Sequence, residues 1–339
     1  MRQDDSNTVE ILPPFTLASL SKEPLMRKIL NWTAASAILL FMSATTQAEN
    51  DSEIPGIGPV GKPVKLFTDL KFTEGPAFDL KGNLYFTDIP DNKIYKVDSK
   101  GELSVFLEPS NHCNGLMLDG ENNLLACEMD GRLVSINLKD KKVTPLSADY
   151  QGKRYNAPND LVMDRTGGIY FTDPHFRAPE PLPQGTVAVY YRSAEGKVTR
   201  LIDDLKAPNG VILSPDEKTL YVIPSMSKEM WAYDVTAPGK IGEGRVFCSL
   251  KQAEGYKEPG SGGDGLTIDT KGNLYITSGL GLQVFSPEGK LLGIIEVPEK
   301  PANVTFGGKD NASLFITART SLYRIDTKAK GHRFPGKSS

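Results

Sequence analysis

The sequence predicts an all-β fold, a six-bladed β-propeller with four-stranded blades, on three observations. A phrase consisting of a polar residue, a short apolar strand, a polar turn and a second apolar strand recurs six times in 339 residues. The strand-like segments are about 4 to 7 residues long, which is too short for helices. The 32 Gly and 24 Pro are spread along the chain, as expected where turns are frequent. Repeats of this length with four strands each are typical of propeller blades.

The six phrases align on one apolar residue of their second strand. These residues are Tyr85, Leu125, Tyr170, Tyr221, Tyr275 and Phe315. Successive residues of this set are 40, 45, 51, 54 and 40 positions apart. Two more strand-like stretches follow a phrase, as at residues 92–98 and 103–107, and complete a blade.

The sixth repeat has only three strands, and residues 64–70 form a spare strand before the first repeat. A closed ring leaves no exposed strand edge. We therefore expect residues 64–70 to supply the outer strand of blade six.

The chain outside the repeats predicts processing and export. Residues 26–48 combine a positively charged start, a mostly apolar stretch and small residues before Ala48, which is the pattern of a signal peptide. A buried or amphipathic helix is the alternative. Residues 1–25 are interpreted as a mis-assigned N-terminal extension, with Met26 as the true start. We therefore expect a periplasmic or secreted protein that is not attached to a membrane after cleavage.

The remaining boundaries are a linker at residues 49–63, a single propeller domain at 64–331 and a C-terminal tail at 332–339. A monomer or dimer is expected.

Composition and missing motifs exclude several classes of function. A net charge of −3 gives no surface for nucleic acid. The chain has neither a GxSxG elbow nor a GxGxxG fingerprint between a strand and a helix, which disfavours serine hydrolase chemistry and excludes a dinucleotide fold. The three cysteines match no zinc motif and are interpreted as small buried residues. A Cys113–Cys127 disulfide stays open for an exported protein.

Six oxygen-bearing side chains, one before the first strand of each blade, are the candidate functional residues. They are Glu74, Asn114, Asn159, Asn209, Asp264 and Asn303. The first strand of a blade lines the central channel, so these side chains are expected around one channel mouth. Asn-Gly and Asp-Gly also favour tight turns, which is the structural alternative. A ring of carboxylate and amide oxygens suits Ca²⁺, with Mg²⁺, Zn²⁺ or Mn²⁺ as substitutes, although the absence of soft ligands disfavours zinc.

From about residue 64 to 326 the chain resembles the gluconolactonase/regucalcin (senescence marker protein) family of six-bladed propellers. The motifs that carry the resemblance are EGP at 74–76, NAPND at 156–160, YFTDP at 170–174, PNG at 208–210 and DGLTID at 264–269. The resemblance implies a Ca²⁺ ion held by Glu74, Asn209 and Asp264, with Asn159 as a further ligand. Ala157 replaces an arginine of the animal branch, so the bacterial gluconolactonase-like branch fits better.

The resemblance implies hydrolysis of a sugar lactone to an aldonic acid. Asp264 is the first choice for the general base and Glu74 the second, with direct attack by either as an alternative. Asn114, Asn159 and His175 are predicted to contact the substrate. Glu128 and Asp173 are expected to be solvated loop acids. Two other functions stay open: a non-enzymatic propeller that binds protein or carbohydrate, and a hydrolase of organophosphates or other esters.

Overall fold

The computed structural model describes residues 53–121, 123–255 and 262–334. The predicted signal peptide, the N-terminal extension and residues 335–339 of the predicted tail lie outside this part of the chain. Six four-stranded antiparallel sheets and one small hairpin account for the regular structure described, together with one 3₁₀ turn, Lys309–Asn311. Within these ranges no helix has the length and apolar character needed to span a membrane.

Each of the first three blades is a consecutive four-stranded meander. The N-terminal strand β1 comprises Val60–Phe67 and precedes blade one. Blade one comprises β2 Thr73–Phe78, β3 Leu84–Asp88, β4 Lys93–Val97 and β5 Leu103–Leu107. Blade two comprises β6 Cys113–Leu118, β7 Asn123–Glu128, β8 Arg132–Asn137 and β9 Val143–Ser147. The hairpin β10 Asp149–Tyr150 and β11 Lys153–Arg154 precedes blade three, which comprises β12 Leu161–Met163, β13 Ile169–Asp173, β14 Ala188–Arg192 and β15 Val198–Ile202.

The last three blades follow the same plan. Blade four comprises β16 Pro208–Leu213, β17 Thr219–Pro224, β18 Glu229–Ala237 and β19 Lys240–Ser249. Blade five comprises β20 Leu266–Ile268, β21 Leu274–Ser278, β22 Gly281–Phe285 and β23 Leu291–Ile295. Blade six comprises β24 Asn303–Gly307, β25 Ser313–Ala318 and β26 Ser321–Asp326, with β1 as its outer strand.

The ring closes as the sequence predicts. The first strands of successive blades contact one another around the full circle, and β24 contacts β2. Strand β1 pairs antiparallel with β26, for example Val64 with Arg324 and Lys65 with Tyr323. The closing strand begins at Val60 and ends at Phe67, so it lies a few residues earlier than the predicted 64–70. The six-bladed, ring-closed prediction is confirmed.

Apolar middle strands and threonines hold neighbouring blades together. Tyr170 and Tyr275 are fully buried in hydrophobic clusters between sheets. Thr87 Oγ1 donates to the carbonyl of Asn114 at 3.1 Å, and Thr172 Oγ1 donates to that of Asn209 at 2.7 Å. Both bonds link the second strand of one blade to the first strand of the next, and they fix the backbone at the channel mouth.

The three cysteines are buried free thiols, as the composition indicated. The alternative of a Cys113–Cys127 disulfide is not present in the structure. Burial raises the pKa of both thiols well above the usual range. Such thiols are poor nucleophiles.

The segment after the last strand folds against the far end of the channel. Gly331 N donates to the Asn311 carbonyl at 2.8 Å, and His332 N donates to the Ile268 carbonyl at 2.9 Å. Phe334 packs on the hydrophobic core. An apolar cavity of about 290 Å³ lies behind this segment, inside the channel. Residues 331–334 therefore belong to the folded domain.

Candidate functional site

Bulges in the inner strands shape the candidate site. In three blades the register of the first strand shifts where the predicted ring residue lies. The shifts fall between Glu74 and Ala77, Cys113 and Leu116, and Pro208 and Val211. In blades three and five the first strand begins two residues after the ring residue. A bulge re-aims a side chain and interrupts pairing, so the irregular backbone releases these side chains from the regular alternation of the sheet.

The glycines that follow the ring residues allow close strand approach. A Cβ at Gly75, whose φ is +44°, would lie 1.9 Å from the Asn114 carbonyl oxygen, and one at Gly210 would lie 2.5 Å from that of Asp264. Gly210 N donates to the same Asp264 oxygen at 3.0 Å. These glycines therefore belong to packed inner strands, and the tight-turn interpretation of the Asn209-Gly210 pair is wrong here.

Four of the six ring side chains share one cavity at the channel mouth. Glu74, Asn159, Asn209 and Asp264 line a cavity of about 380 Å³. Its walls also carry the apolar residues Phe72, Ile89, Pro90, Met129, Phe176 and Pro301. The structure thus brings together the same four residues that the family resemblance selects as a ligand set.

Hydrogen bonds orient Asn209 and Asp264 toward each other. Asn209 Nδ2 donates to Asp264 Oδ1 at 2.6 Å and to Ser225 Oγ at 2.9 Å. The Asn209 amide oxygen accepts no hydrogen bond from the described residues. Glu74 Oε2 accepts from Gly75 N at 3.1 Å, and the Asn159 side chain has no hydrogen bond within the described part of the chain. Two amide groups are therefore available to a ligand beside two carboxylates.

Burial makes the two carboxylates costly to charge together. It raises the pKa of Asp264 to about 6, against the opposing effects of the Asn209 hydrogen bond and the positive charges of Lys300 and Arg319. Burial, and next the negative charge of Asp264, hold the pKa of Glu74 well above its usual range. A cation between the two carboxylates would relieve both effects.

The donor set fits a hard divalent cation. Two carboxylates match its charge, and amide oxygens are ligands that Ca²⁺ accepts. No cluster of three or more His, Cys, Asp or Glu side chains is arranged for metal binding in the described ranges. A metal here would therefore depend on Glu74, Asp264 and amide oxygens, and thiolate or imidazole ligation is not available in this set.

The other two ring residues lie elsewhere. Asn114 is buried outside the cavity lining, with Nδ2 4.0 Å from the sulfur of Met129. Asn303 Oδ1 accepts from Val304 N at 2.8 Å, and this residue lines the far-end cavity, although its side chain also lowers the pKa of Glu74 by hydrogen bonding. Its first strand pairs regularly, without the bulge that accompanies Glu74 and Asn209. The sequence pattern is the same in all six blades, so it does not separate these two residues from the four that line the cavity.

The loop after β13 differs from expectation. His175 is exposed and does not line the cavity, so the structure does not bring this predicted substrate contact to the site. The following residues, Phe176 and Arg177, do line it. Arg177 has φ of 61°, a left-handed conformation that turns the loop. Lys300, in the approach to β24, is a second lining cation that the repeat pattern did not reveal.

The expected solvated loop acids are buried. Asp173 accepts from the backbone N–H groups of Asn156 at 2.9 Å and Ala157 at 2.7 Å. Glu128 accepts from Asn111 Nδ2 at 2.9 Å and Arg132 Nε at 2.5 Å. The interpretation of these two residues as solvated is wrong, because each carboxylate is the internal acceptor for its own loop.

A six-bladed propeller with two carboxylates in one cavity at the channel mouth defines the class of protein. The family model described as SMP-30/Gluconolactonase/LRE-like region matches residues 72–320, and the chain belongs to this family. The resemblance found in the sequence motifs is confirmed.

Several relatives are named for hydrolase activity. The chain is 29% identical over 299 residues to the gluconolactonase of Zymomonas mobilis, covering 80% of this chain and 83% of the relative. The structure of XC5397 from Xanthomonas campestris, described as a gluconolactonase, is 31% identical with a TM-score of 0.71, covering 78% and 89%. The diisopropyl-fluorophosphatase of Loligo vulgaris is 25% identical over 313 residues, covering 83% and 96%. Family and relatives together support a hydrolase with a small-molecule substrate.

Proposed function

We propose that this chain is a calcium-dependent hydrolase that opens a lactone ring. The observation that carries the proposal is the meeting of Glu74, Asp264, Asn209 and Asn159 in one cavity, with Glu74 buried and Asp264 partly buried. The gluconolactonases of Zymomonas mobilis and Xanthomonas campestris support the lactone as substrate.

The same four side chains would hold the ion, Glu74 and Asp264 through carboxylate oxygens and the two asparagines through amide oxygens. When bound, Ca²⁺ supplies Lewis-acid polarisation of the ester carbonyl. Mg²⁺, Mn²⁺ and Zn²⁺ are the substitutes to compare with it.

Asp264 is the proposed general base. Its Oδ1 is engaged by Asn209 at 2.6 Å, which leaves Oδ2 to take the proton of an attacking water. The water oxygen forms a bond to the carbonyl carbon, the ring C–O bond breaks, and the proton passes to the leaving alkoxide oxygen. A carboxylate whose pKa lies near neutrality suits proton transfer in both directions. Glu74 as the base, or direct attack by either carboxylate, is the alternative route.

The apolar wall has its own part in the reaction. Phe72, Met129 and Phe176 exclude water from one side of the cavity. Electrostatic interactions strengthen where water is excluded, so the charge that develops on the ester is stabilised more than in open solvent.

The direct test is hydrolysis of a lactone panel by chelator-treated protein, before and after Ca²⁺ is added back. We expect activity to disappear on chelation and to return with Ca²⁺. Metal-independent hydrolysis would contradict the proposed calcium dependence but not the proposed lactone hydrolysis.

The relative named diisopropyl-fluorophosphatase favours one alternative substrate class. A fluorophosphate ester assayed in the same panel separates the two: turnover of that ester with none of any lactone would replace the lactone by an organophosphate. No turnover of either class would favour a binding module.

We also propose that the protein is exported to the periplasm or secreted after cleavage following residues 26–48, with Met26 as the start. The charged start and the apolar stretch support this proposal. N-terminal sequencing of the exported protein is expected to begin shortly after Ala48. A mature start before residue 43 would contradict it.

A further inference from the structure

Most neutral polar groups in the channel-mouth cavity are committed to the protein itself. Thr277 Oγ1 donates to backbone carbonyls of Gly265 at 3.0 Å and Ala302 at 2.9 Å. Ser278 Oγ donates to the Gly281 carbonyl at 2.9 Å. Ser225 Oγ donates to the Gly263 carbonyl at 3.0 Å while accepting from Asn209. Apart from the proposed ligand set, the described lining therefore has few groups to pair with substrate hydroxyls.

One wall of the cavity is formed by apolar residues that pack together. Ile89, Met129 and Ala157 form a buried cluster, against which Phe72 and Phe176 pack. Four of these five residues line the cavity; Ala157 supports them from behind. A polyhydroxylated ring placed here would leave hydroxyl groups facing hydrocarbon, and each unpaired buried hydroxyl costs about 1–3 kcal/mol.

Two cationic side chains complete the lining. Arg177 and Lys300 are exposed at the rim, and neither forms an ion pair or side-chain hydrogen bond with the described residues. The positive charge of Lys300 reaches the site, because it lowers the pKa of Asp264. The cavity thus combines two unpaired cationic side chains, from the loops of two different blades, with an apolar wall.

We infer that the site selects a lactone with an apolar body and one pendant carboxylate, which Arg177 and Lys300 recognise at the rim. The inference rests on the proposed lactone hydrolysis and names its substrate class. The apolar body lies on the wall of Phe72, Met129 and Phe176, which places the ester group above Glu74 and Asp264. A guanidinium can bind a carboxylate through two parallel hydrogen bonds, and an ammonium group adds a second charge. Arg177 and Lys300 are specificity-determining residues; the reacting atoms stay with the carboxylates.

The test uses three lactone probes with the calcium-loaded protein. The first is an alkyl-substituted lactone whose side chain ends in a carboxylate, the second is the same compound with a primary amide, and the third is gluconolactone. We expect kcat/KM for the carboxylate to exceed that for the amide by about tenfold at low salt, equivalent to ~1.4 kcal/mol. Gluconolactone is expected to be the poorest of the three. The carboxylate preference should shrink as ionic strength rises.

Two variants and a matched control assign the preference to the rim. The double variant Arg177→Gln, Lys300→Gln removes both charges and keeps polar side chains of similar length. It is expected to reduce the ratio of kcat/KM for the carboxylate lactone to kcat/KM for the amide lactone from about tenfold to about one. Lys240→Gln removes one exposed charge from the outer hairpin of blade four and should leave the preference intact.

Gluconolactone as the best substrate, or a carboxylate preference that survives the double variant, would overturn the inference without touching lactone hydrolysis. A binding measurement distinguishes a failure of the proposed lactone hydrolysis from a failure of the inferred ligand class. Calorimetry with the corresponding lactam carboxylate and lactam amide, which are not hydrolysed, should show tighter binding of the carboxylate. If no lactone is turned over and the lactam preference is still present, the proposed function fails and the ligand class stands. Equal binding of the two lactams overturns the ligand class.

Discussion

Two groups of buried acids lie close to the channel mouth, and their surroundings differ. Asp88 accepts three backbone N–H bonds, from Lys71 at 2.8 Å, Phe72 at 3.1 Å and Asp91 at 3.4 Å, and Asp173 accepts two. Asp264 accepts a single side-chain amide bond, and Glu74 accepts from its own neighbour Gly75. Asp88, Asp173 and Glu74 are almost fully buried, and Asp264 is partly buried. Burial alone therefore does not mark a functional acid; the number of fixed protein donors does.

The difference has a physical meaning. A carboxylate surrounded by backbone donors holds a loop and needs no further partner. A buried carboxylate next to another, with few donors, has capacity left for a cation. We therefore interpret Asp88 and Asp173 as loop anchors and Glu74 and Asp264 as the reactive pair.

The largest expected effect separates the two groups by activity. Asp264→Asn should lower kcat of the calcium-loaded protein by about 10²–10⁴-fold, because the proton acceptor is removed. Asp173→Asn keeps one of the two oxygens that accept backbone N–H groups and should change kcat by only a few-fold. Steady-state lactone hydrolysis measures both variants. Equal losses in the two would abolish the distinction.

The second prediction separates them by stability. Asp173→Ala should lower the free energy of unfolding by about 1–3 kcal/mol, since the buried N–H groups of Asn156 and Ala157 lose their acceptor. Asp264→Ala, measured in chelator, removes a repulsive buried charge and should be destabilising by much less. Urea denaturation in chelator provides the comparison. A larger loss for Asp264→Ala would reverse the assignment of roles.

The third prediction concerns pH. Burial raises the pKa of Asp264 to about 6, so the folded state binds a proton that the unfolded state has released. The resulting stabilisation is fully present below the ordinary aspartate pKa of roughly 4 and is lost as pH rises through about 6. Between pH 5 and 7.5, in chelator, the melting temperature of the Asp264→Asn variant should therefore fall less than that of the original protein. An unchanged pH profile would show that Asp264 keeps an ordinary pKa.

The blade plan could be predicted from the sequence because it depends on local, repeated chemistry. Short alternating strands and turn residues recur in every blade, and ring closure follows from the cost of an open edge. The position of Glu74 and Asp264 at one mouth follows from the same repeat. The pattern treats Asn114 and Asn303 in the same way, although neither lines the cavity, and this difference depends on three-dimensional packing that a single sequence does not show.

The rim of the site could not be predicted for a related reason. Arg177 and Lys300 lie in connecting loops, where no periodic pattern constrains direction. His175 is predicted to contact the substrate because of its chemistry. The loop instead brings Phe176 and Arg177 to the cavity, with Arg177 in a left-handed conformation. Likewise, the attachment of residues 331–334 depends on long-range hydrogen bonds to Asn311 and Ile268.

The smallest expected effect is a control outside both groups. Val105 lies in the outer strand of blade one and is 43% exposed. Val105→Ala should leave kcat unchanged and alter the free energy of unfolding by roughly 0.5 kcal/mol or less. A marked loss of activity in this variant would indicate that the site responds to general perturbation of the blades.

Calcium titration calorimetry is the most direct measurement of the central claim. Chelator-treated protein is compared with the double variant Glu74→Gln, Asp264→Asn. We predict one Ca²⁺ bound per chain in the original protein and no detectable binding at that site in the double variant. No binding by the original protein, or unchanged binding by the double variant, would contradict the claim that these two carboxylates hold the ion.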